Sequence, residues 1–279
     1  MEPASASTDA SAHPFDSAIA LTPLGLNLWQ GHTSPAYGNM VGPFGGLTAA
    51  QALQAVLLHP QRLGEPVTLT VNFAAGLTDG DFVVEARPAR TNRATQHWVI
   101  EVRQQEQVVL TGTALTALRR DTWSSQSESP MPQVPRPGEV APAQGRGLVE
   151  WVNRYDMLFI EGALPALWNG TDHGLSRTRV WLRDRPGRPL DFASLTALSD
   201  VFFPRIWRRR ATRVPIGTVS LTVYFHATTA QLQTTGTGYL LGQAQAEAFH
   251  QGFFDQNAQL WNEAGELLVT THQMVYYKE

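Results

Sequence analysis

The chain has 279 residues, 43% hydrophobic and only 16% charged, so it can enclose a large core and general disorder is excluded. Its formal net charge of −3 leaves no electrostatic footprint for nucleic acid or an anionic membrane surface. It contains no cysteine, which removes disulfides, thiolate zinc sites and a cysteine nucleophile.

The first residues, Met1 to His13, carry neither a basic nor an apolar stretch and read as a polar leader rather than a secretory signal. No apolar run approaches the ~20 residues needed to cross a bilayer, so a cytoplasmic location without membrane contact is expected. The first helix is predicted over 45–58. It is rich in Ala, Leu and Gln, and Leu47, Ala50, Leu53 and Leu57 form one apolar stripe. Strands follow at Val67–Phe73, Asp81–Pro88, Gln96–Gln104 and Gln107–Leu118, with a turn signal at Thr78-Asp79-Gly80. Residues 121–148 are rich in Ser, Pro, Gln and Gly without apolar periodicity, the pattern of a linker. A second helix is predicted over 190–203, ended or kinked by Pro204. Further strands are expected at Val219–Phe225, Thr234–Gly242, Ala246–Gln256 and Glu266–Tyr277, with a turn at Asn262–Gly265.

The elements repeat. Val67-Thr68-Leu69-Thr70-Val71-Asn72-Phe73 and Val219-Ser220-Leu221-Thr222-Val223-Tyr224-Phe225 share five of seven residues, and both alternate as half-buried antiparallel strands do. Each half is a helix followed by antiparallel strands, an α+β unit that buries its apolar faces by laying the helix on the sheet. The domains implied are 14–120 and 149–279, joined by the linker 121–148.

With helix, strands and repeat in this order, the chain resembles the type II acyl-CoA thioesterases, which are built from two fused hotdog domains. The segments that carry the resemblance are Phe44-Gly45-Gly46 followed by Gln51-Ala52-Leu53, and Leu195-Thr196-Ala197-Leu198-Ser199-Asp200. Ile216-Gly217-Thr218 leading to Tyr224-Phe225-His226, and Gly265-Glu266-Leu267-Leu268-Val269 leading to Gln273, complete the set. Tyr155-Asp156-Met157-Leu158-Phe159 looks like the opening strand of the second domain. The resemblance implies a double hotdog fold, an acyl-CoA substrate, no cofactor, and a hydrolytic water held by Asp200, Thr218 and Gln273. A homodimer is a candidate assembly.

The repeat offers an internal control on that site. Laying Gly45-Gly46 on Phe192-Ala193 sets Asp200 opposite Leu53; aligning the strands sets Thr218 opposite Pro66 and Gln273 opposite Ala114. All three polar residues replace apolar or small ones. Leu53 belongs to the stripe expected to be buried, so Asp200 is expected to face inward, where loss of water raises the pKa of a carboxylate and makes it a better base. The glycines at the first helix start let a ligand approach free N–H groups, so Gly46, with Gly45 beside it, is the candidate oxyanion donor.

Each of these residues also has a plainer reading: Asp200 as a helix-end residue, Thr218 as a β-former, Gly45-Gly46 as a tight turn. The run Trp207-Arg208-Arg209-Arg210, with Arg205 and Arg213, reads either as a solvated face or, through Arg208 and Arg209, as a contact for coenzyme A phosphates. His226 and His272 flank the region. The histidines show no zinc-ligand spacing, and no Gly-x-Ser-x-Gly, Gly-x-Gly-x-x-Gly or phosphate-binding loop occurs. Alternatives to a thioester hydrolase are a non-catalytic acyl-CoA-binding protein and a hydratase or dehydratase. The last would want a histidine in a helix, and neither predicted helix has one.

Overall fold

The computed structural model describes residues 12–125, 128–142 and 149–279; most of the polar leader, residues 1–11, lies outside them. The first half contains α1 (Pro14–Ala18), β1 (Thr22–Pro23), β2 (Leu28–His32), α2 (Gly45–Leu57), β3 (Glu65–Phe73), β4 (Asp81–Thr91), β5 (Thr95–Gln104) and β6 (Gln107–Ala117). The second half contains β7 (Tyr155–Glu161), β8 (Thr178–Asp184), α3 (Phe192–Leu198), α4 (Arg205–Arg210), β9 (Ile216–Phe225), α5 (Thr229–Thr235), β10 (Leu240–Gln245), β11 (Phe249–His250), β12 (Phe253–Asn262) and β13 (Leu267–Tyr277).

All strands join one antiparallel sheet in the order β1-β2-β4-β5-β6-β3-β9-β13-β12-β10-β8-β7, with β11 folded back on β12. Read outward from the β3–β9 seam, the two sides match strand for strand. β6 answers β13, β5 answers β12, β4 answers β10, β2 answers β8 and β1 answers β7. At the centre of the seam Thr70 faces Thr222, their hydroxyls 3.1 Å apart, with Thr68–Tyr224 and Asn72–Ser220 placed evenly on either side. This is a local two-fold axis through a single pair of threonines. A bulge recurs at the equivalent residues Val67 and Val219, each skipped by its partner strand.

The helices sit together on one face of the sheet. α2 packs on β2, β4, β5 and β6, α3 on β8, and the two helices pack on each other. Leu47, Ala50 and Leu53 are fully buried, as the apolar stripe requires. α3 is shorter than the predicted span: Asp191 caps it by accepting from the Ser194 N–H at 2.8 Å, and the helix stops at Ser199, well before Pro204.

Two expected strands are displaced. Thr234–Gly242 begins in α5, which opens on a Thr228/Gln231 capping box and closes at Gly236, where φ is +58°. Ala246–Gln256 spans the β11–β12 hairpin, whose turn residues Gln251 and Gly252 both have positive φ, as a two-residue hairpin turn requires.

Residues 128–142 lie across the face of the sheet opposite the helices. Met131, Val134 and Val140 pack on Leu158, Trp181, Leu241 and Trp261. The two indoles donate to the carbonyls of Pro135 and Ser129 at 2.8 and 3.3 Å. A proline-rich segment suits this position, because it supplies carbonyl acceptors and needs few partners for its own N–H groups.

Between β7, β8 and the turn at Pro35–Tyr37, the Tyr37 and Tyr155 hydroxyls and Asp184 Oδ1 are buried without hydrogen bonds to described residues. Burial pushes the Asp184 carboxyl up to about 7. A carboxyl whose folded pKa lies above its unfolded value stabilises the fold at low pH, and that contribution is lost as pH rises through the folded pKa. Asp184→Asn is therefore expected to raise the thermal midpoint relative to the parent at pH 8, to give a clearly smaller gain at pH 5, and none below the unfolded pKa near 3.8. Unfolding scans at the two pH values measure it, and an equal change at both would show that Asp184 does not titrate in this range.

Candidate active site

Asp200 follows the end of α3 and faces the first turn of α2. Gln273 Nε2 on β13 donates to Asp200 Oδ1 at 2.6 Å, and the nearby Gly46 amide also favours the carboxylate. Burial dominates its ionisation and pushes it up to about 7, against the opposing pull of those two donors. The positive end of the α2 dipole also favours the anion, so Asp200 is held poised between its two states near neutrality.

Asp200, Thr218 and Gln273 line one cavity of about 110 Å³ that opens to solvent. Gly45 is in its wall, and most of the remainder is apolar: Phe44, Trp151, Phe202, Phe203, Trp207, Ile216, Phe254 and Val275. Trp151, from the start of the second half, stacks on Phe44 of the first with ring centres 4.4 Å apart, and its indole donates to Asn39 at 3.3 Å. The wall is thus contributed by both halves. The Thr218 hydroxyl, in the cavity wall, makes no hydrogen bond to another described residue.

Three of the expected site residues do not line this cavity. Gly46 is not in the cavity wall. Its amide is oriented to favour the Asp200 anion, as unpaired N–H groups at a helix N-terminus do. The glycine is required for packing: a Cβ at Gly46 would lie 2.6 Å from the Phe44 ring and 2.8 Å from the Ala197 carbonyl oxygen. Arg208 and Arg209 also lie outside the wall. Arg209 is engaged by Asp172 at 2.6 Å, whereas Arg208 Nε is buried without a partner among the described residues. Arg205 of the same run is fully buried, bonded to Ser176 O, Thr178 Oγ1 and Phe203 O, and burial lowers its pKa to about 9. It holds the Phe203–Pro204 corner of the cavity in place.

His226 bonds Thr270 and His272 bonds Asp255, and neither lines the cavity. Among the described residues no group of His, Asp and Glu could hold a metal ion.

The repeat alignment can be checked against register. Ala114 pairs with Leu69 and Gln273 with Leu221, and Leu69 and Leu221 are equivalent across the seam. Thr218 matches Pro66 by the same offset. In the first half Leu53 and Ala114 are 0% and 5% exposed, so the counterpart positions are apolar and buried. Trp98, across from Ala114, occupies the place held in the second half by Gln256, across from Gln273. Sequence reasoning missed Gln256 because the expected strand register broke at the hairpin, and it missed Trp151 because nothing local ties residue 151 to residue 44.

Several solved structures are similar to this chain. A hot dog fold protein of unknown function from Alicyclobacillus acidocaldarius is 44% identical, with a TM-score of 0.89 over 96% of this chain and 98% of that one. An acyl-CoA thioesterase II from Mycobacterium marinum is 16% identical, with a TM-score of 0.72 over 95% and 98%. A tesB protein from Mycobacterium avium subspecies paratuberculosis is 18% identical, with a TM-score of 0.74 over 95% and 98%. At these low identities the two mycobacterial matches speak for the fold alone. A comparison with curated proteins gives no match.

The acyl-CoA thioesterase C-terminal domain family matches residues 127–277 and the corresponding N-terminal domain family residues 34–117. The chain belongs to the acyl-CoA thioesterase family. Among the described residues no helix is long and apolar enough to cross a membrane.

Proposed function

We propose that the chain is a double hotdog, with domains at 14–120 and 149–279, that hydrolyses an acyl-CoA thioester to the free acid and coenzyme A at Asp200. The observation that carries this reading is the position of the Asp200 carboxylate: in an apolar cavity, bonded to Gln273, against the first turn of α2, and with a pKa near 7. A base so poised can take a proton and return it at neutral pH. In the proposed reaction Thr218, Gln273 and Asp200 hold a water. Asp200 removes a proton as the water oxygen attacks the thioester carbon. The carbonyl oxygen gains the charge and is met by the N–H of Gly45, the cavity-wall residue of the α2 terminus; this role passes from Gly46 to its neighbour. The C–S bond then breaks, and Asp200 returns its proton to the departing sulfur.

Thiol release from a panel of acyl-CoA substrates tests the activity directly, and binding without release would make the chain an acyl-CoA-binding protein instead. Because the carboxylate is the active form, log kcat/KM is expected to climb with unit slope below about pH 7 and to level off above it. A profile that stays flat from pH 5 to 8 would remove Asp200 from the role of base.

A further inference from the structure

The buried amide side chains are almost all engaged. Gln51 donates to Ala18 O, Gln96 to Gln61 O and Thr91, Gln104 to Thr78 O, Asn262 to Glu266, and Gln273 to Asp200. Gln256 is the exception. It is 3% exposed, it lines the cavity, and its amide has no hydrogen bond to any described residue. It lies directly across from Gln273 on the neighbouring strand, so both side chains rise from the same face of the sheet. In the other half the equivalent residue, Trp98, fills its space and donates to Thr116 at 3.1 Å. Thr116 is the counterpart of Val275. The second half thus replaces a satisfied indole with a shorter amide that has lost the matching acceptor, which leaves both room and an open hydrogen-bonding group. The amide opens onto the cavity, so a ligand that displaces water there must either supply a hydrogen-bond partner or leave the amide unpaired at a cost.

We propose that Gln256 is a specificity-determining residue that hydrogen-bonds an oxygen on the acyl group, a hydroxyl or carbonyl a few carbons from the thioester. The proposal rests on the reading of this cavity as the acyl-CoA site. Adjacent strands are ~4.8 Å apart, so the Gln256 amide stands about one strand spacing from the Gln273 amide that faces the reacting carbon. That is the span of the first few carbons of a chain. The wall around Gln256, formed by Phe254, Trp207 and Ile216, suits the hydrocarbon remainder and argues for the acyl side rather than the amide-bearing arm of coenzyme A. An unsubstituted chain would strip water from the amide and leave it unpaired, whereas an oxygenated chain replaces that bond.

The test measures kcat/KM for unsubstituted, 3-hydroxy and 3-oxo acyl-CoA thioesters of equal length, with the parent and with Gln256→Leu. The parent is expected to prefer an oxygenated member by about tenfold or more. Gln256→Leu is expected to lower kcat/KM for that member by about tenfold and to raise it for the unsubstituted one. Parent selectivity near unity overturns the proposal without recourse to any variant. An equal fall for all substrates in Gln256→Leu also overturns it and places the contact on the coenzyme A arm or the attacking water. Gln256→Met serves if the leucine variant does not fold. Absence of hydrolysis of any thioester defeats the thioesterase reading itself, and the proposal with it, whereas hydrolysis with unchanged selectivity defeats the proposal alone.

Discussion

Asp200→Asn is expected to lower kcat for thioester hydrolysis by about a thousandfold, the middle of the range for removal of a positioned base, with a much smaller change in KM. The amide keeps the shape of the carboxylate, and its one carbonyl oxygen can still accept from Gln273, but it cannot take a proton from water. The same substitution is expected to stabilise the fold above pH 7. The Asp200 carboxyl is pushed up to about 7 by burial, so its ionisation is less favourable in the folded protein than in the unfolded chain. That stabilisation vanishes at low pH, where both forms are neutral. Opposite movements of turnover and thermal midpoint at pH 8 are the signature sought. Retained turnover would confine Asp200 to a structural role.

Gly46→Ala is expected to destabilise the protein by about 1–3 kcal/mol, the usual cost of an added methyl in a packed interior, and to lower kcat about a hundredfold. The added carbon would meet the Ala197 carbonyl oxygen at 2.8 Å and the Phe44 ring at 2.6 Å, and the first of these is backbone that cannot turn aside. α2 must then move away from α3, and with it both the N–H that reaches Asp200 and the Gly45 edge of the cavity. Denaturant titration and steady-state kinetics measure the two effects. Parent-like stability together with parent-like kcat would mean that the helix contact is slack.

Much of this was legible in the sequence, for identifiable reasons. The β3 and β9 runs repeat almost residue for residue because both lie on one seam and pair with each other, so each experiences the same surroundings. α2 could be read to within one residue because its apolar stripe and its Gly-Gly start agree. Asp200, Thr218 and Gln273 stood out against Leu53, Pro66 and Ala114, since the two halves differ in polarity at matched positions. The missing parts depend on long-range contacts. α3 has helix-forming sequence up to Phe203, yet it stops where Asp200 turns toward α2. Residues 128–142 look like a free linker in composition, and only the Trp181 and Trp261 donors explain why they lie against the sheet. Gln256 became visible once its cross-strand neighbour was known.

The seam has a consequence for how the protein acquires activity. The β3–β9 pairing joins residues 152 apart in the chain, whereas β4, β5 and β6 are linked by short hairpins within one half. Ordering costs rise with sequence separation, so hairpins close early and the seam closes late. The Asp200 carboxylate reaches the α2 terminus only after that closure. During refolding, sheet and helix signals should therefore recover in an earlier phase than turnover, and the chain should pass through a state with two folded halves and no working site.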